Sequence, residues 1–471
     1  MAAPQVRSSA GSDDLLAGFA GIRDEFEVPA AFPPAVLAEA ETQHRGVNRR
    51  RRDRRDLPLV TIDPQGSRDL DQAYTAERRG AGYRVFYAIA DVSAFVRPGG
   101  ALDVETRRRG VTLYSPDRRT PLHPDALGEG AASLLPGVDR PALLWEFDLD
   151  ADGHPTATRI EPAVVRSRAA LSYPEVQADL TPEPLGLLET IGRLRQEREV
   201  ERGGVSLALP SQEVVKVGDR FVLAYEANLP VEEWNAQISL LTGMEAARIM
   251  LEGGVGVLRT LPPPDDWTVN AIRRSARTLG QPWPNGASYP DFVRSIDRSE
   301  HASAALLHQA ARALGGSGYL SFDKATTPGK RNRVHSAVAA PYAHVTAPLR
   351  RLVDRFANEV VLATVADRPT PEWAAAALPE LPKIMQSTRG RERQLGHAML
   401  DFVEAVVLRR HVGRVFDAAV TNIDKRGAAI QLVDPAVLAR MPADGLTLGA
   451  EVDARLVEAV PSERRVRFER A

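Results

Sequence analysis

Three aspartates between Thr61 and Ala73 are spaced so that they could do chemistry together. Asp63 ends an apolar stretch that predicts a strand, a loop of Pro, Gly and Ser follows, and Asp69 and Asp71 then stand two residues apart. Residues two apart on a strand share a face, so the three carboxylates are predicted to converge. Crowded carboxylates repel one another unless a cation neutralises them, and oxygen ligands suit Mg²⁺ or Mn²⁺. Such a site leaves room for water and a phosphate, which phosphodiester hydrolysis requires.

The plain alternative for these aspartates is a polar turn with solvated side chains. A calcium loop of the EF-hand type is excluded, because counting from Asp69 places Tyr74 where the glycine belongs and Gly80 where the bidentate glutamate belongs. The chain contains no cysteine, which excludes a disulfide framework, a thiolate zinc site and a cysteine nucleophile. Any metal is therefore expected on oxygen or imidazole ligands.

The elements around the aspartates indicate an α+β fold. Apolar patterns predict strands at residues 57–63, 83–92 and 142–149. Helical spacing begins near residue 182, and further helices are predicted at 232–251 and 302–314. We therefore predict one large catalytic domain, with a mixed β core and helices, over residues 57–408.

The last part of the chain returns to short strands. Apolar patterns predict strands at residues 413–421, 428–433 and 451–459, separated by turn signals such as Lys425-Arg426-Gly427. Short strands at this spacing in so small a module favour an OB-type β-barrel, a fold that often binds single-stranded nucleic acid. We predict that this domain covers residues 409–471.

Residues 1–56 are predicted to form a short helical N-terminal segment that ends in an arginine-rich linker. Seven arginines lie between Arg45 and Arg55. A charge run of this kind is usually a solvated linker face, and the functional alternative is an electrostatic guide for an RNA backbone.

The overall composition is that of a globular chain with little net charge. Its 471 residues carry a formal charge of −2, and the positive charge is nearly all arginine, with lysine at five positions only. Arginine is the better bidentate partner for phosphate, although a base composition that favours arginine codons explains the bias equally well. No stretch reaches the roughly 18 to 20 apolar residues of a membrane span, and the first residues lack the layout of a signal peptide. We expect a cytoplasmic monomer with no membrane contact.

Several ordered motifs resemble those of the ribonuclease II (RNB) family. The segment Thr61-Ile62-Asp63, five residues, then Asp69-Leu70-Asp71-Gln72-Ala73 is similar to the family's active-site pattern T-I-D, five residues, D-x-D-D-A. The similarity continues through a strand, a tyrosine loop and a late H-x-T-x-P-x-R segment, which here read Tyr87 to Ser93, Leu113 to Asp117 and His344 to Arg350. The resemblance covers roughly residues 57–408, and the terminal barrel resembles the family's RNA-binding OB domain.

The resemblance implies a metal site and a base clamp. Asp63, Asp69 and Asp71 would hold or orient Mg²⁺, or Mn²⁺ in its place, together with the scissile phosphate. Gln72 stands at the family's fourth acidic position and would offer a carbonyl oxygen but no charge. Tyr114 would clamp a terminal base by stacking, and the plain alternative is that Tyr114 belongs to the core.

The same resemblance implies further catalytic residues late in the chain. Arg350 would grip a phosphate near the cut, with Arg351 the less favoured holder of that role, and Glu392 would lie near the nucleotide end. The alternative is that Arg350 to Arg355, with Asp354 and Glu359, form a helix face of ion pairs. His335 and His344 are expected to be structural, because no two histidines have metal-ligand spacing.

The function implied is a 3′-to-5′ exoribonuclease that hydrolyses single-stranded RNA to nucleoside 5′-monophosphates with a divalent metal. Two alternatives stay open: an RNA-binding protein whose RNB-type site lapsed when the fourth aspartate became Gln72, and an endonuclease. The opening segment is too short for the two cold-shock barrels of many relatives. The second base-clamping aromatic cannot be placed, although Trp267 follows the likely stretch Pro262 to Pro264.

Overall fold

The computed structural model describes residues 12–42, 46, 48–206, 211–217, 220–281, 283–296 and 301–471. The helices in this part of the chain are α1 (Ser12–Glu25), α2 (Pro34–Glu41), α3 (Ala101–Arg109), α4 (Tyr173–Ala178), α5 (Glu183–Glu201), α6 (Pro230–Gly253), α7 (Asp266–Thr278), α8 (Tyr289–Ser295), α9 (His301–Ala313), α10 (Leu352–Val365), α11 (Glu372–Ala377) and α12 (Leu381–Leu408). The strands are β1 (Arg52–Asp53), β2 (Val60–Asp63), β3 (Gln72–Arg79), β4 (Gly82–Ala90), β5 (Leu113–Tyr114), β6 (Arg119–Thr120), β7 (Asp139–Leu149), β8 (Pro155–Arg166), β9 (Ala169–Ser172), β10 (Ser211–Val217), β11 (Arg220–Glu226), β12 (Gly256–Thr260), β13 (Gly318–Phe322), β14 (Val334–His335), β15 (Ala340–Pro341), β16 (Val415–Asp424), β17 (Gly427–Leu432), β18 (Leu438–Met441), β19 (Glu451–Val460) and β20 (Arg465–Arg470).

A seven-stranded sheet forms the centre of the catalytic part. Its strand order is β1-β8-β7-β4-β3-β2-β9, and the pairs β1-β8 and β2-β9 are parallel whereas the others are antiparallel. The central strand β4 is buried on both faces, because Val85 and Tyr87 point into one hydrophobic cluster while Phe86 and Ala88 point into another. Burial on both faces explains why this strand reads as a continuous apolar run rather than an alternating one.

The larger cluster is completed by helices. Ile238 of α6 and Phe356 of α10 are fully buried in the same cluster as Trp145 of β7. Gly192 of α5 lets α6 approach closely, since a side chain there would collide with Trp234. Helices packed on a mixed sheet confirm the predicted α+β fold.

The C-terminal strands form a separate five-stranded sheet with the order β18-β17-β16-β19-β20. The two end strands β18 and β20 lie side by side, so the sheet nearly closes into a barrel. Its interior is filled by Val420, Ile430, Leu456 and Phe468, none of which is exposed. This arrangement confirms the predicted OB-type barrel. Helix α12 ends at Leu408 and β16 begins at Val415, while the predicted domain boundaries themselves stay predictions.

The opening segment packs against the rest of the chain. Phe19 of α1 contacts Phe402 of α12 and Phe221 of β11 edge to face, and its ring is fully buried. Helix α1 therefore contributes to the main core.

The arginine run near residue 50 is partly buried and ion-paired and partly exposed. Arg49 lies 2.6 Å from Glu359 and Arg51 lies 2.7 Å from Asp91, and both guanidinium groups are largely buried. Arg52 of β1 is 68% exposed and Arg55 is 44% exposed, so the run is solvated in part, and its role as a linker or as a guide for RNA stays a prediction. Arg45 lies outside the described residues. Among the helices of the described part, none is long and apolar enough to cross a membrane.

Candidate active site

The carboxylate segment follows strand β2 and leads into β3. Asp63 ends β2, but Asp69 and Asp71 lie in the loop before Gln72 starts β3, so the prediction that these two aspartates share a strand face was wrong. The loop is held in place by Leu70, which is buried, donates its N–H to the Ser133 Oγ and accepts at its carbonyl from the Leu134 N–H. These two hydrogen bonds hold the loop in place, although the loop does not pair with a neighbouring strand.

Asp71 is the most deeply placed of the three aspartates. Its carboxylate accepts a hydrogen bond of 2.7 Å from the Leu349 N–H and lies 3.4 Å from the Arg350 Nε. Burial raises the pKa of Asp71 to about 8, and the positive charge of Arg350 opposes that rise. The loop before α10 therefore meets the carboxylate loop at this residue.

Asp63 has an oxygen without a partner. Its Oδ2 is buried and makes no hydrogen bond to any described residue. Burial raises the pKa of Asp63 to about 7, Arg350 opposes the rise, and the nearby charge of Asp69 adds to it. A buried carboxylate oxygen with no donor is costly unless a cation or a substrate group completes it.

Asp69 is bound by an arginine that the sequence did not single out. The Arg119 Nη1 lies 2.6 Å from the Asp69 Oδ1, and the other end of the same guanidinium contacts Glu129. Asp69 is thus neutralised by protein, whereas Asp63 is not.

The donor set fits a hard divalent cation, with a smaller protein contribution than the sequence predicts. Among the described residues, no three His, Asp or Glu side chains converge closely enough to hold a metal by themselves. Mg²⁺, however, is commonly bound by one or two carboxylates, with water and substrate phosphate completing its shell. The unpartnered Asp63 oxygen beside the buried Asp71 meets that requirement.

Gln72 uses both ends of its amide. Its Nε2 donates to the Thr346 carbonyl at 2.6 Å, and its Oε1 accepts from the Tyr87 hydroxyl at 2.7 Å. The Tyr87 hydroxyl also lies 2.8 Å from the Ser239 Oγ. Gln72 therefore ties β3 to the loop that carries Arg350, and its assignment as a metal ligand stays a prediction.

A cavity of about 380 Å³ gathers the remaining predicted residues. Tyr114, Arg350, Arg351 and Glu392 all line it. Tyr114 is 53% exposed, which contradicts the alternative that it belongs to the core. The proximity of Asp71 to Arg350 places the carboxylate loop at the edge of this cavity.

The two neighbouring arginines have different surroundings. The fork of Arg351 is bound to the fully buried Asp354 at 3.0 and 2.9 Å. The side chain of Arg350 is 46% exposed, and it is the one left facing the cavity. The ion-paired helix face proposed as an alternative therefore applies to Arg351, and also to Arg355, which binds Asp103, but not to Arg350.

Glu392 reaches the cavity from α12. Burial raises the pKa of its carboxyl group, and the charges of Arg389, Arg350 and Arg351 oppose that rise. His344 also lines the cavity, and its Nδ1 lies 2.7 Å from the Tyr319 hydroxyl. Burial lowers the pKa of His344 well below its usual value, which keeps the ring neutral.

A second cavity, of about 940 Å³, adjoins the first. The two share Tyr319, Arg389 and Glu392 in their walls, and the second adds Lys383 and Arg393 of α12. Sequence reasoning missed these cations because single basic residues on a long helix carry no spacing signal. Arg119 was detectable in principle, since the turn signal Ser115-Pro116-Asp117 after Tyr114 predicts a hairpin that places Arg119 opposite the tyrosine.

The α+β fold and the cavity lined by arginines, a tyrosine and a glutamate agree with one family of known proteins. The RNB domain matches residues 51–367, more than half of the sequence, so the chain belongs to the RNB family. The RNase II-type exonuclease C-terminal S1 domain matches residues 414–471, the five-stranded barrel-like sheet. The resemblance predicted from the motifs is confirmed.

Curated relatives carry one recurring name. Ribonuclease R of Escherichia coli (strain K12) is 28% identical over 451 residues, which cover 87% of this chain and 53% of the relative. Ribonuclease R of Aquifex aeolicus is 26% identical over 437 residues, which cover 87% of this chain and 60% of the relative. The chain thus spans about half the length of the curated relatives it matches.

Solved structures share the fold. RNase R of Mycoplasma genitalium, in complex with ribose methylated single-stranded RNA, superposes with a TM-score of 0.88 at 18% identity over 98% of this chain and 78% of that chain. Yeast Ssd1, described as a pseudonuclease, superposes with a TM-score of 0.73 at 17% identity over 93% of this chain and 57% of that chain.

Proposed function

We propose that this protein is a metal-dependent exoribonuclease that removes nucleotides from the 3′ end of single-stranded RNA and releases nucleoside 5′-monophosphates. The observation that carries the proposal is the cavity shared by Tyr114, Arg350 and Glu392 beside the buried carboxylates of Asp63 and Asp71. The relatives named ribonuclease R and the RNA-bound Mycoplasma genitalium neighbour support it. We further propose that it acts in the cytoplasm as a monomer.

Substrate binding is assigned to exposed groups in the cavity. Tyr114 offers an accessible ring on which any base can stack, because every base has a π-face. The exposed guanidinium of Arg350 is placed to neutralise charge on the phosphate oxygens as the bond breaks. Glu392 closes the far wall, where it would anchor the terminal nucleotide.

Hydrolysis is assigned to the carboxylate loop. Asp63, Asp69 and Asp71 would hold Mg²⁺, or Mn²⁺, together with water and the scissile phosphate, with Gln72 predicted as a further ligand. When bound, the cation would offset the charge of the carboxylates and of the phosphate. Asp71 is proposed to orient the attacking water and to accept its proton.

Arg351 has a supporting part in this proposal. Its bidentate bond to Asp354 keeps its guanidinium in the wall, so it would fix the residue before it rather than grip the phosphate itself. Lys383, Arg389 and Arg393 line the adjoining cavity and are proposed to receive further phosphates of the strand.

A lapsed RNA-binding protein is the second candidate. It is favoured by Gln72 at the family's fourth acidic position and by the fold shared with the pseudonuclease Ssd1. The cavity argues against it, since a site without catalysis has no need to keep Asp63 buried and unpartnered beside Arg350.

The test is incubation of 5′-labelled single-stranded RNA with Mg²⁺, using the wild type and Asp71→Asn. We expect a ladder of products shortened from the 3′ end by the wild type, and at least a roughly 1,000-fold slower reaction for Asp71→Asn with RNA affinity kept within a few-fold. A circular RNA of the same sequence should survive, since it has no end. No hydrolysis by the wild type would support the lapsed site, and cleavage of the circle would show an endonuclease.

A further inference from the structure

The hairpin that carries Tyr114 is too short to hold itself in place. Its two strands, β5 and β6, have two residues each, and Tyr114 stands opposite Arg119 in the pairing. Within the turn, the Ser115 N–H donates to the Arg118 carbonyl. Isolated two-stranded hairpins are marginal in water even when they are longer, so this one depends on ties to other elements.

The tip of the hairpin is held by helix α1. Asp117 accepts two hydrogen bonds from the Arg23 guanidinium, at 2.6 and 3.0 Å. The exposed fractions of the two side chains are only 6% and 10%, so water competes little for this pair. Bidentate arginine-carboxylate bonds are among the strongest and most directional that a protein side chain makes. Through this buried ion pair, Arg23 of helix α1 holds the tip of the hairpin that carries Tyr114.

The other side of the hairpin is bound to the carboxylate loop. Arg119 bridges Asp69 at 2.6 Å and contacts Glu129, which in turn lies 3.2 Å from the Arg68 Nε. Because Arg119 pairs with Tyr114 across the hairpin, one short element connects the stacking ring to the carboxylate segment.

The base of the hairpin is joined to the segment that presents the phosphate-facing arginine. The Thr112 N–H donates to the Arg350 carbonyl at 3.0 Å, and the Leu352 N–H donates to the Gly110 carbonyl at 2.9 Å. The hairpin is therefore fixed at its base, at its side and at its tip, and the bond at the tip comes from helix α1.

We propose that Arg23, Asp117 and Arg119 are positioning residues: through them helix α1 sets the position of Tyr114 relative to Asp69 and Arg350. Loss of the Arg23-Asp117 pair frees the hairpin tip, so the stacking ring samples more positions while the carboxylates keep theirs. The resulting loss of affinity is expected to be largest for short RNA substrates, because they make few other contacts with the protein. The inference rests on the proposed function for its kinetic consequences, and its structural content is testable without catalysis.

The activity-independent test uses RNA with 2-aminopurine at its 3′ end, bound to the catalytically silent Asp71→Asn protein. Stacking of the terminal base on Tyr114 quenches the fluorescence. We expect Arg23→Ala and Asp117→Asn each to recover much of it, and the charge-exchanged Arg23→Asp/Asp117→Arg protein to restore at least half of the quenching. Arg464→Ala is the matched control, because it removes another bidentate pair from α1, the one at Glu25, without touching the hairpin.

The kinetic test uses the active protein and RNA of two lengths. We expect Arg23→Ala to raise the KM for a short oligomer roughly five- to tenfold while kcat on long RNA stays near that of the wild type. Arg119→Lys, which keeps the charge but loses the fork, should move the short-oligomer KM in the same direction. Melting temperatures serve to show that the variants are folded.

The proposal is overturned if Arg23→Ala and Asp117→Asn behave as Arg464→Ala does in the fluorescence test. It is also overturned if both variants lose the fluorescence quenching and raise the KM equally for long and short RNA, since that would indicate general damage to the protein. If the wild type hydrolyses nothing yet the quenching follows the expected pattern, the proposed function fails and the positioning inference stands.

Discussion

The cavity that adjoins the proposed active site and the C-terminal barrel differ in how many of their cations already have a carboxylate partner. In the adjoining cavity, Lys383, Arg389 and Arg393 have no carboxylate oxygen within 4.0 Å among the residues that the structure describes. In the barrel, nine basic and nine acidic residues between 414 and 471 balance each other. Arg440 binds Asp424 through two bonds of 2.9 Å. Arg464, Arg465 and Arg467 are also ion-paired. Arg414, Arg455 and Arg470 have no carboxylate oxygen within 4.0 Å among the residues that the structure describes.

The difference locates the electrostatic part of RNA binding. A cation that already has a carboxylate partner gains little from a phosphate, because the protein bond must be broken first. An unpaired cation releases counterions from the RNA in full. One hollow of the barrel is lined by Asp417, Glu451 and Asp453, which repel phosphate, and by Arg470. The barrel cations that are already ion-paired are therefore expected to contribute little to phosphate binding.

The largest effect should come from removing the unpaired cations. In the Asp71→Asn background, Lys383→Ala/Arg389→Ala/Arg393→Ala should weaken single-stranded RNA binding roughly 100-fold at 50 mM salt and reduce the slope of log K against log salt by about 2, as three lost phosphate contacts imply. Fluorescence anisotropy across a salt series measures both quantities.

The matched barrel variant is Arg465→Ala/Arg467→Ala, which removes cations already bonded to Glu458. We expect its affinity to change by less than about threefold and its slope to stay unchanged. A slope that falls as far for the barrel variant as for the cavity variant would contradict the comparison.

A buried acid joins the two regions and gives the next effect. The Glu404 Oε1 in α12 accepts from the Gln212 Nε2 at 2.6 Å and from the Leu438 N–H of the barrel at 3.4 Å. Burial raises the pKa of Glu404 from 4.5 to about 8, the neighbouring Asp401 adds to the rise, and the two hydrogen bonds oppose it. The folded protein therefore keeps a proton that the unfolded chain loses.

The sign of the pH effect follows from that shift. Stability from this group is fully present below pH 4.5, declines as pH rises, and is lost as pH passes 8. Glu404→Gln, which is neutral at every pH, should match the wild type near pH 5 and exceed its unfolding free energy by roughly 2 kcal/mol at pH 9. Chemical denaturation at the two pH values measures this. Equal stability of both proteins at pH 9 would show that Glu404 is solvated or paired when charged.

The sequence motifs selected residues that lie close together in the fold, while the chemical roles of these residues stay predictions. Tyr114 and Arg350, from two separate motifs, line one cavity, and the charge of Arg350 also acts on Asp63. Each of these motifs lies beside a strand or helix end that the apolar pattern also marks. The sequence could not show that Arg119 neutralises Asp69 or that Arg351 is committed to Asp354. The first bond joins residues on different elements and has no local signal. The second joins residues three apart, and the sequence offered it only as one of two alternatives, between which the rotamer of Arg351 decides.

In the barrel, too, the fold could be predicted from the sequence but the ion pairs on its surface could not. Strand spacing was sufficient to predict its fold, and Val420 and Leu456 fill its interior as the alternation requires. Its surface function was inferred from the fold alone. The pairing of Arg440 with Asp424 across 16 residues decides how its charge acts, and it emerges only when β16 and β18 are brought together beside β17.

Tyr114→Ala should have a smaller and more specific effect. Since the ring is 53% exposed, its removal should leave stability almost unchanged. Loss of a terminal stacking contact should raise the KM for a short oligomer roughly fivefold and lengthen the final undegraded product, with little change in the initial rate on long RNA. The matched control is Trp267→Ala, which removes another exposed aromatic, 75% exposed and outside the cavity. An unaltered product ladder for Tyr114→Ala would remove the stacking role.

The smallest effect is expected at Gln72, where the chain departs from its family's acidic pattern. If Gln72 is a metal ligand, a carboxylate in its place would bind Mg²⁺ more tightly. Gln72→Asp would then lower the Mg²⁺ concentration needed for half-maximal activity. The structure favours the opposite expectation, because the amide N–H donates to the Thr346 carbonyl and the amide oxygen accepts a hydrogen bond from the Tyr87 hydroxyl. A carboxylate has no donor for Thr346 and would place two acceptors together in a partly buried site.

We therefore expect the Mg²⁺ titration of Gln72→Asp to stay within about twofold of the wild type, or to move to higher Mg²⁺. Gln72→Glu is the companion variant, since it keeps the length of the side chain while it loses the donor and gains the same charge as Gln72→Asp. If both variants lose a similar amount of thermal stability, the bond to Thr346 is what Gln72 contributes. A clear shift of Gln72→Asp alone to lower Mg²⁺ would return Gln72 to the metal site, because only direct coordination, or charge added next to the cation, strengthens binding in that way.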